Sequence, residues 1–295
     1  MSAMKMIVTG VFCLTAVALQ AATLQVGPDK AYKTIQAAVD AANTAGGDVI
    51  EVDEGTYTAT SGFLFTLDRP VVVKAVGAQD KTTLKAAVAA GAAKVADAGA
   101  VLFGFTFDPN SASVPTLDLS DGVVSNCVFK GTKSTASQMA LVNGGLLEDV
   151  HFTPMNAEKN GTNGGAALIS GGTMRNCTFR GIYTMTYGCN GMALKVDGGL
   201  VEGCTIEECL GCGANQTDGN CGSVYLNGGE MRNCIVRNNG SRSGCAGVYF
   251  ASGILHDSLI YGNVASNCFA QASGGAGVRM TAKTAQMYNC VVSRN

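Results

Sequence analysis

Few side chains in this sequence of 295 residues combine the type and the spacing that chemistry requires. There are 2 histidines, His151 and His256, one pair of adjacent glutamates, Glu207-Glu208, and one closely spaced thiol pair, Cys209-Leu-Gly-Cys212. A histidine could move a proton near neutral pH, and two carboxylates could divide acid and base work if both faced one reacting group. The thiol pair could hold zinc with Cys221 and Cys189 as further ligands, or could form disulfides in an oxidising compartment. Loop carboxylates such as Asp197 and Asp218 could bind calcium. Lys195, Tyr225, Tyr249 and Arg279 offer recognition instead, since aromatic faces and flanking cations suit an acidic glycan. Which of these groups can meet depends on the elements that carry them.

Composition narrows those elements. With 47% hydrophobic residues, 14% charged residues, 39 Gly and 5 Pro, the chain is ordered and rich in turns. A formal charge of -2 supplies no cationic surface for phosphates, which argues against nucleic acid as a partner. The one long apolar run lies at the N-terminus, where Lys5 precedes Met6 to Leu19 and small residues follow at Ala21 and Ala22. It reads as a secretory signal peptide over residues 1–22, so the mature chain is expected to be secreted and to carry no transmembrane segment.

Beyond residue 98 the chain repeats. One template recurs in Gly122-Val-Val-Ser-Asn-Cys-Val-Phe129, Gly145-Leu-Leu-Glu-Asp-Val-His-Phe152, Gly172-Thr-Met-Arg-Asn-Cys-Thr-Phe179, Gly199-Leu-Val-Glu-Gly-Cys-Thr-Ile206, Gly229-Glu-Met-Arg-Asn-Cys-Ile-Val236 and Gly253-Ile-Leu-His-Asp-Ser-Leu-Ile260. Weaker copies end at Phe107 and Val292. Stacked, the copies give one apolar column from Leu102 to Met287 and a second from Phe107 to Val292. Between them, Gly104, Asn126, Asp149, Asn176, Gly203, Asn233, Asp257 and Asn289 are the residue types that tolerate a left-handed backbone. A sharp corner therefore joins two short strands in every copy, and a third strand precedes each Gly, as in Ala140-Leu-Val142 and Val248-Tyr-Phe250.

The copies are spaced by 22 to 32 residues, which suits a fixed core with one variable loop. The prediction is an all-β, right-handed parallel β-helix with three short strands per coil. Leucine-rich repeats need a helical return that these Gly- and Asn-rich connections do not supply. An amphipathic helix over residues 34–45, with Ile35, Ala38, Val39 and Ala42 on one face, is expected to cap the N-terminal end. The cap and first coil then occupy residues 23–66 and the repeats residues 67–295. The last copy stops at Asn295 with no amphipathic cap after it, so the chain is expected to be a fragment of a longer parent.

Tyr32-Lys-Thr-Ile-Gln-Ala-Ala-Val39, followed by Val49-Ile-Glu-Val-Asp-Glu-Gly-Thr-Tyr57, resembles the opening segment of the pectate-lyase-like superfamily of extracellular β-helix proteins. That resemblance implies the β-helix fold and a substrate groove along the strand before each Gly. It also implies activities ranging from polysaccharide lyase and glycoside hydrolase to non-catalytic surface modules. Lyases of this fold use carboxylate-bound calcium with an Arg or Lys base, and hydrolases use paired Asp with Gly-His-Gly and Arg-Ile-Lys signatures. This sequence has no Asp-Asp, Asn-Thr-Asp, Gly-His-Gly or Arg-Ile-Lys.

The strand period then places the candidates. His151 and His256 fall at outward positions and read as exposed strand histidines; opposite strand faces separate Glu207 from Glu208. Leu141, Leu168, Lys195, Tyr225, Tyr249 and Arg279 form one outward column, with coils about 4.8 Å apart. Glu148, Arg175, Glu202 and Arg232 form another whose alternating signs pin the register, a structural role. Cys127, Cys177, Cys204, Cys234 and Cys290 fill an inward column as small hydrophobes. Cys189, Cys209, Cys212, Cys221, Cys245 and Cys268 are left in connections, and Cys221 and Cys245 share a register that favours a disulfide. The sequence thus points to a secreted, non-catalytic glycan-binding or adhesin-like module, with no required metal or cofactor. An extracellular lyase or hydrolase acting on acidic, pectin-like polysaccharide is the alternative, calcium then being the candidate ion.

Overall fold

The computed structural model describes all residues except 1–20, 110–113, 131–132, 135–137, 158–164, 185–189, 212–221, 242–244 and 266–274. The signal-peptide expectation therefore lies almost wholly outside the described residues. The strands that are described form three parallel sheets of 18, 10 and 6 strands, which together make a parallel β-helix. Every ladder joins one coil to the next. Val123↔Leu146, Leu146↔Thr173, Thr173↔Leu200 and Leu200↔Glu230 run in register across five coils, and the neighbouring columns follow suit. The main chain is thereby satisfied between coils, and the side chains alternate between core and surface.

Two kinds of residue let the coils close up. At Gly145 (φ 65) a Cβ would stand 2.5 Å from the Gly122 carbonyl oxygen of the coil below; at Gly172 (φ 71) it would stand 2.5 Å from that of Gly145. Only glycine combines that backbone with that approach. At the corner that follows, the predicted residues all have positive φ, between 50° at Asn126 and Asp257 and 85° at Gly104. Their periodicity fixes where each coil turns, and so which side chains fall inside.

The buried side chains are aligned from coil to coil. Phe107, Phe129, Phe152 and Phe179 stack with centroids 4.7, 4.6 and 4.4 Å apart and planes within 13°. Cys127, Cys177, Cys204 and Cys234 are buried in the adjacent column. Burial pushes the Cys127 thiol up to about 12. Hydrogen bonding among neighbouring thiols holds Cys204 and Cys234 well above the ordinary range, so these are packing groups and not nucleophiles.

The capping helix α1, Ile35–Ala41, is shorter than the sequence suggests, because Ala42 is already extended (ψ 148). The Thr34 hydroxyl accepts from the Ala37 N–H at 3.2 Å, and Ile35, Ala38, Val39 and Ala42 are buried as expected. Asp48 ties the cap to the first coil by accepting from the backbone N–H groups of Ala22 (2.8 Å) and Asn43 (2.7 Å). Those bonds hold its carboxyl below the usual range.

The third sheet departs from expectation. The strand before each Gly belongs to the same sheet as the strand after it, and in Val224–Arg232 and Val248–His256 the two are continuous. The separate third sheet follows a second left-handed bend at Gly181, Glu208, Asn238 and Gly262. Next to that bend the inward positions are Ile182, Cys209, Asn239, Asn263 and Asn295. Cys209 is thus a core residue and not a loop thiol, and burial pushes it up to about 12. Asn239 donates to Asn263 Oδ1 (2.9 Å) and Asn263 to Asn295 Oδ1 (2.9 Å), while their Nδ2 groups also reach the carbonyls of Ile206 and Val236. A stack of amides can satisfy itself inside the core where a single buried amide could not.

Candidate functional site

The outward column on the strand before the Gly is built by pairing alone. Lys195 lies opposite Tyr225, Tyr225 opposite Tyr249, and Tyr249 opposite Arg279. In the other direction Lys195 lies opposite Leu168 and Leu168 opposite Leu141; Asp118, Lys94 and Thr66 continue the line. All four predicted recognition residues therefore share one face. Lys94 and Asp118, 3.5 Å apart, belong to it too, although the sequence reading stopped short of them. Asp118 precedes the template copy at Gly122 as Leu141 precedes the one at Gly145, so counting back from that copy could have revealed the pair.

The rings are arranged differently from expectation. Tyr225 and Tyr249 stack with centroids 5.2 Å apart and planes at 12°, and the Arg279 guanidinium lies 5.5 Å from the Tyr249 ring centre. The Tyr249 ring is therefore sandwiched along the solenoid axis, between Tyr225 on one side and Arg279 on the other. It is only 8% exposed, and Lys195 only 9%. Lys195 also pairs with Asp197 at 2.8 Å. Lys195 and Arg279 flank the two tyrosines in the ladder, and parallel coils about 4.8 Å apart turn the ring faces onto each other before any ligand. What the face offers a ligand is ring edges, the tyrosine hydroxyls and the Arg279 guanidinium. Burial, and then the charges of Tyr249 and Asp197, raise the Tyr225 hydroxyl above its ordinary value, so it remains a donor at neutral pH.

The second outward column is closed on itself. Arg175 pairs with Glu148 (Nε to Oε1, 2.6 Å), and Arg232 with Glu202 (2.9 Å) and Glu230 (3.1 Å). His256 belongs to this column and lies between Glu230 (3.1 Å) and Asp257 (2.6 Å), with its side chain 12% exposed. The reading of His256 as a plain exposed histidine is thus corrected; His151 is exposed as predicted. Glu207 and Glu208 are not separated either. The left-handed φ of 54° at Glu208 turns its carboxylate back, and both acids meet Arg180, at 3.8 and 3.0 Å. Arg237 also holds Glu207, at 2.6 Å, so the acidic pair is bound by cations and does not face an open cleft.

Cys189, Cys212, Cys221, Cys268 and Asp218 lie outside the described residues, and with them the Cys221–Cys245 disulfide, the zinc alternative and the Asp218 calcium site. Cys245 is buried. Among the described residues no group of three or more His, Cys, Asp or Glu is placed to hold a metal ion, and no helix is long and apolar enough to cross a membrane.

Comparison with known proteins adds the following. No family model matches the chain. No curated protein matches it by sequence. Among solved structures it is similar to the pectin methylesterase from Aspergillus niger, at 15% identity and a TM-score of 0.48 over 92% of this chain and 85% of that one. A pectate lyase aligns at 14% identity and TM-score 0.43, covering 91% and 80%. The alginate lyase from Paenibacillus sp. str. FPU-7 aligns at 12% and 0.33, covering 91% and 99%. The assignment of this chain as a parallel β-helix rests on its own strand pairing.

Proposed function

We propose that this is a secreted β-helix protein that binds an acidic polysaccharide along the column Lys195, Tyr225, Tyr249 and Arg279 without cleaving it. The observation that carries the reading is the contrast in pairing. Carboxylates on adjacent coils match the cations of the neighbouring column, whereas this column brings a stacked tyrosine pair and the Arg279 guanidinium over the Tyr249 ring into one ladder beside Lys195. A guanidinium beside a ring is a donor suited to a carboxylate or hydroxyl, and the tyrosine hydroxyls supply neutral donors next to it. Hydrogen bonding and charge, more than ring stacking, would then select the ligand. The apolar N-terminal run supports export.

A second reading keeps a lyase or hydrolase activity on the same acidic substrate. Its support is the Lys195–Asp197 pair, where an ammonium and a carboxylate meet on this face. An ammonium engaged by a carboxylate is a binding group more than a base, which favours the first reading. Incubating the protein with acidic polysaccharides, while following unsaturated product by ultraviolet absorbance and new reducing ends, separates the two. Binding without either product is expected. Turnover that co-purifies with the protein and disappears in Lys195→Ala would overturn the non-catalytic reading.

A further inference from the structure

His256 has partners on three consecutive coils. Its Nε2 lies 3.1 Å from Glu230 Oε1 on the preceding coil, and its Nδ1 lies 2.6 Å from Asp257 Oδ2 on its own. Its ring stacks on Tyr288 of the following coil, with centroids 4.8 Å apart and planes at 16°. Asp257 also accepts from the Asn289 amide, and Asn289 is the left-handed corner (φ 51) that leads into the strand Val291–Ser293. The charged and titratable groups facing His256 are thus Glu230 and, through it, Arg232 on one side, Asp257 on its own coil, and Tyr288 on the other side.

Two ring nitrogens that face two carboxylates are both satisfied only when both carry hydrogen. The imidazolium donates to Glu230 and to Asp257 at once. The neutral ring donates to one and turns a lone pair toward the other. We infer that His256 is a proton-operated latch that fastens the coil bearing Tyr288 and Asn289 to the coil before it. Opening the latch releases one proton to solvent, keeps one N–H bond, and withdraws the cation from the Tyr288 ring and from the Asp257 carboxylate that Asn289 grips.

The direction follows from the partners. Hydrogen bonds to Glu230 and then Asp257 raise the histidine above its ordinary value, and the same bonds lower the two carboxylates. A raised histidine contributes fully below its unfolded value and is lost as pH rises through its folded value; a lowered carboxylate contributes above its unfolded value and is lost as pH falls through its folded one. The latch is therefore closed from mildly acidic to neutral pH and opens on the alkaline side, with a second opening in strong acid.

Hydrogen exchange of the full chain, corrected for the intrinsic pH dependence of exchange, tests this over residues 286–293. Protection there is expected to fall on the order of tenfold as pH rises from the ordinary histidine range through the raised value of His256. His256→Gln keeps one donor and should remove the pH dependence; His256→Arg keeps a permanent cation and should hold protection at alkaline pH. A flat wild-type profile, or the same fall in His256→Gln, would overturn the latch. Should a variant not fold, the wild-type ring resonances decide. Tyr288 signals must move with the His256 midpoint, and Tyr288 signals that stay fixed through that titration refute the coupling.

Discussion

The two outward columns of the large sheet lie on the same coils and over the same core, yet they treat charge in opposite ways. In the column Glu148, Arg175, Glu202, Arg232 and His256, each cation has a carboxylate on a neighbouring coil or beside it, at 2.6 to 3.1 Å. In the column Lys195, Tyr225, Tyr249 and Arg279, Lys195 pairs with Asp197, and the coils are joined by a ring on a ring and a guanidinium on a ring. Column one spends its charges inside the protein and so specifies register. Column two holds its shape through ring stacking, which leaves polar edges for a partner.

The largest effect should come from beneath both. Phe152 sits between Phe129 and Phe179 in the core stack, and Phe152→Ala should cost about 3–5 kcal/mol of stability. Thermal unfolding would read this. A loss confined to one column's function with stability unchanged would show that the two columns do not share a core.

Next is Arg279. Arg279→Gln removes a charge-assisted contact to an acidic ligand, worth about 1.5–3 kcal/mol, or roughly tenfold to a hundredfold in affinity. The wild-type attraction should also weaken with added salt, since exposed charges are screened over about 10 Å at 0.1 M.

Tyr225→Phe is the sharper probe of how the rings work. It keeps the stack on Tyr249 and removes only a hydroxyl, so affinity should fall by about 0.5–1.5 kcal/mol with stability nearly unchanged. If Phe binds like wild type while Tyr225→Ala does not, the ligand stacks on the ring after all. Smallest of all is Arg175→Ala. Breaking its exposed pair with Glu148 should cost about 0–1 kcal/mol and leave glycan affinity untouched.

Much of this was legible in the sequence, for a physical reason. Glycines that almost touch the coil below and corners that need positive φ recur in fixed register, so Gly145, Asn176 and their equivalents mark each coil directly. The column Lys195 to Arg279 followed from counting strand positions. The second bend is carried by Gly181, Asn238 and Gly262, but Glu208 breaks the series in the coil of Cys209, and so Cys209 read as a connection thiol. Helix α1 ended early because Ala42 turns extended while still buried, which keeps the apolar pattern but not the helix. The closure of Tyr249 between its neighbours depends on side-chain rotamers, which alternation alone does not set.

Calorimetric titration of the wild-type protein with a linear uronic acid oligosaccharide, and with its neutral counterpart of the same linkage, tests the central claim most directly. The acidic chain should bind more tightly than the neutral one, and Arg279→Gln should erase that preference while Arg175→Ala preserves it. An acidic chain that does not bind, or a preference that survives in Arg279→Gln, would contradict the assignment of this column as the binding face.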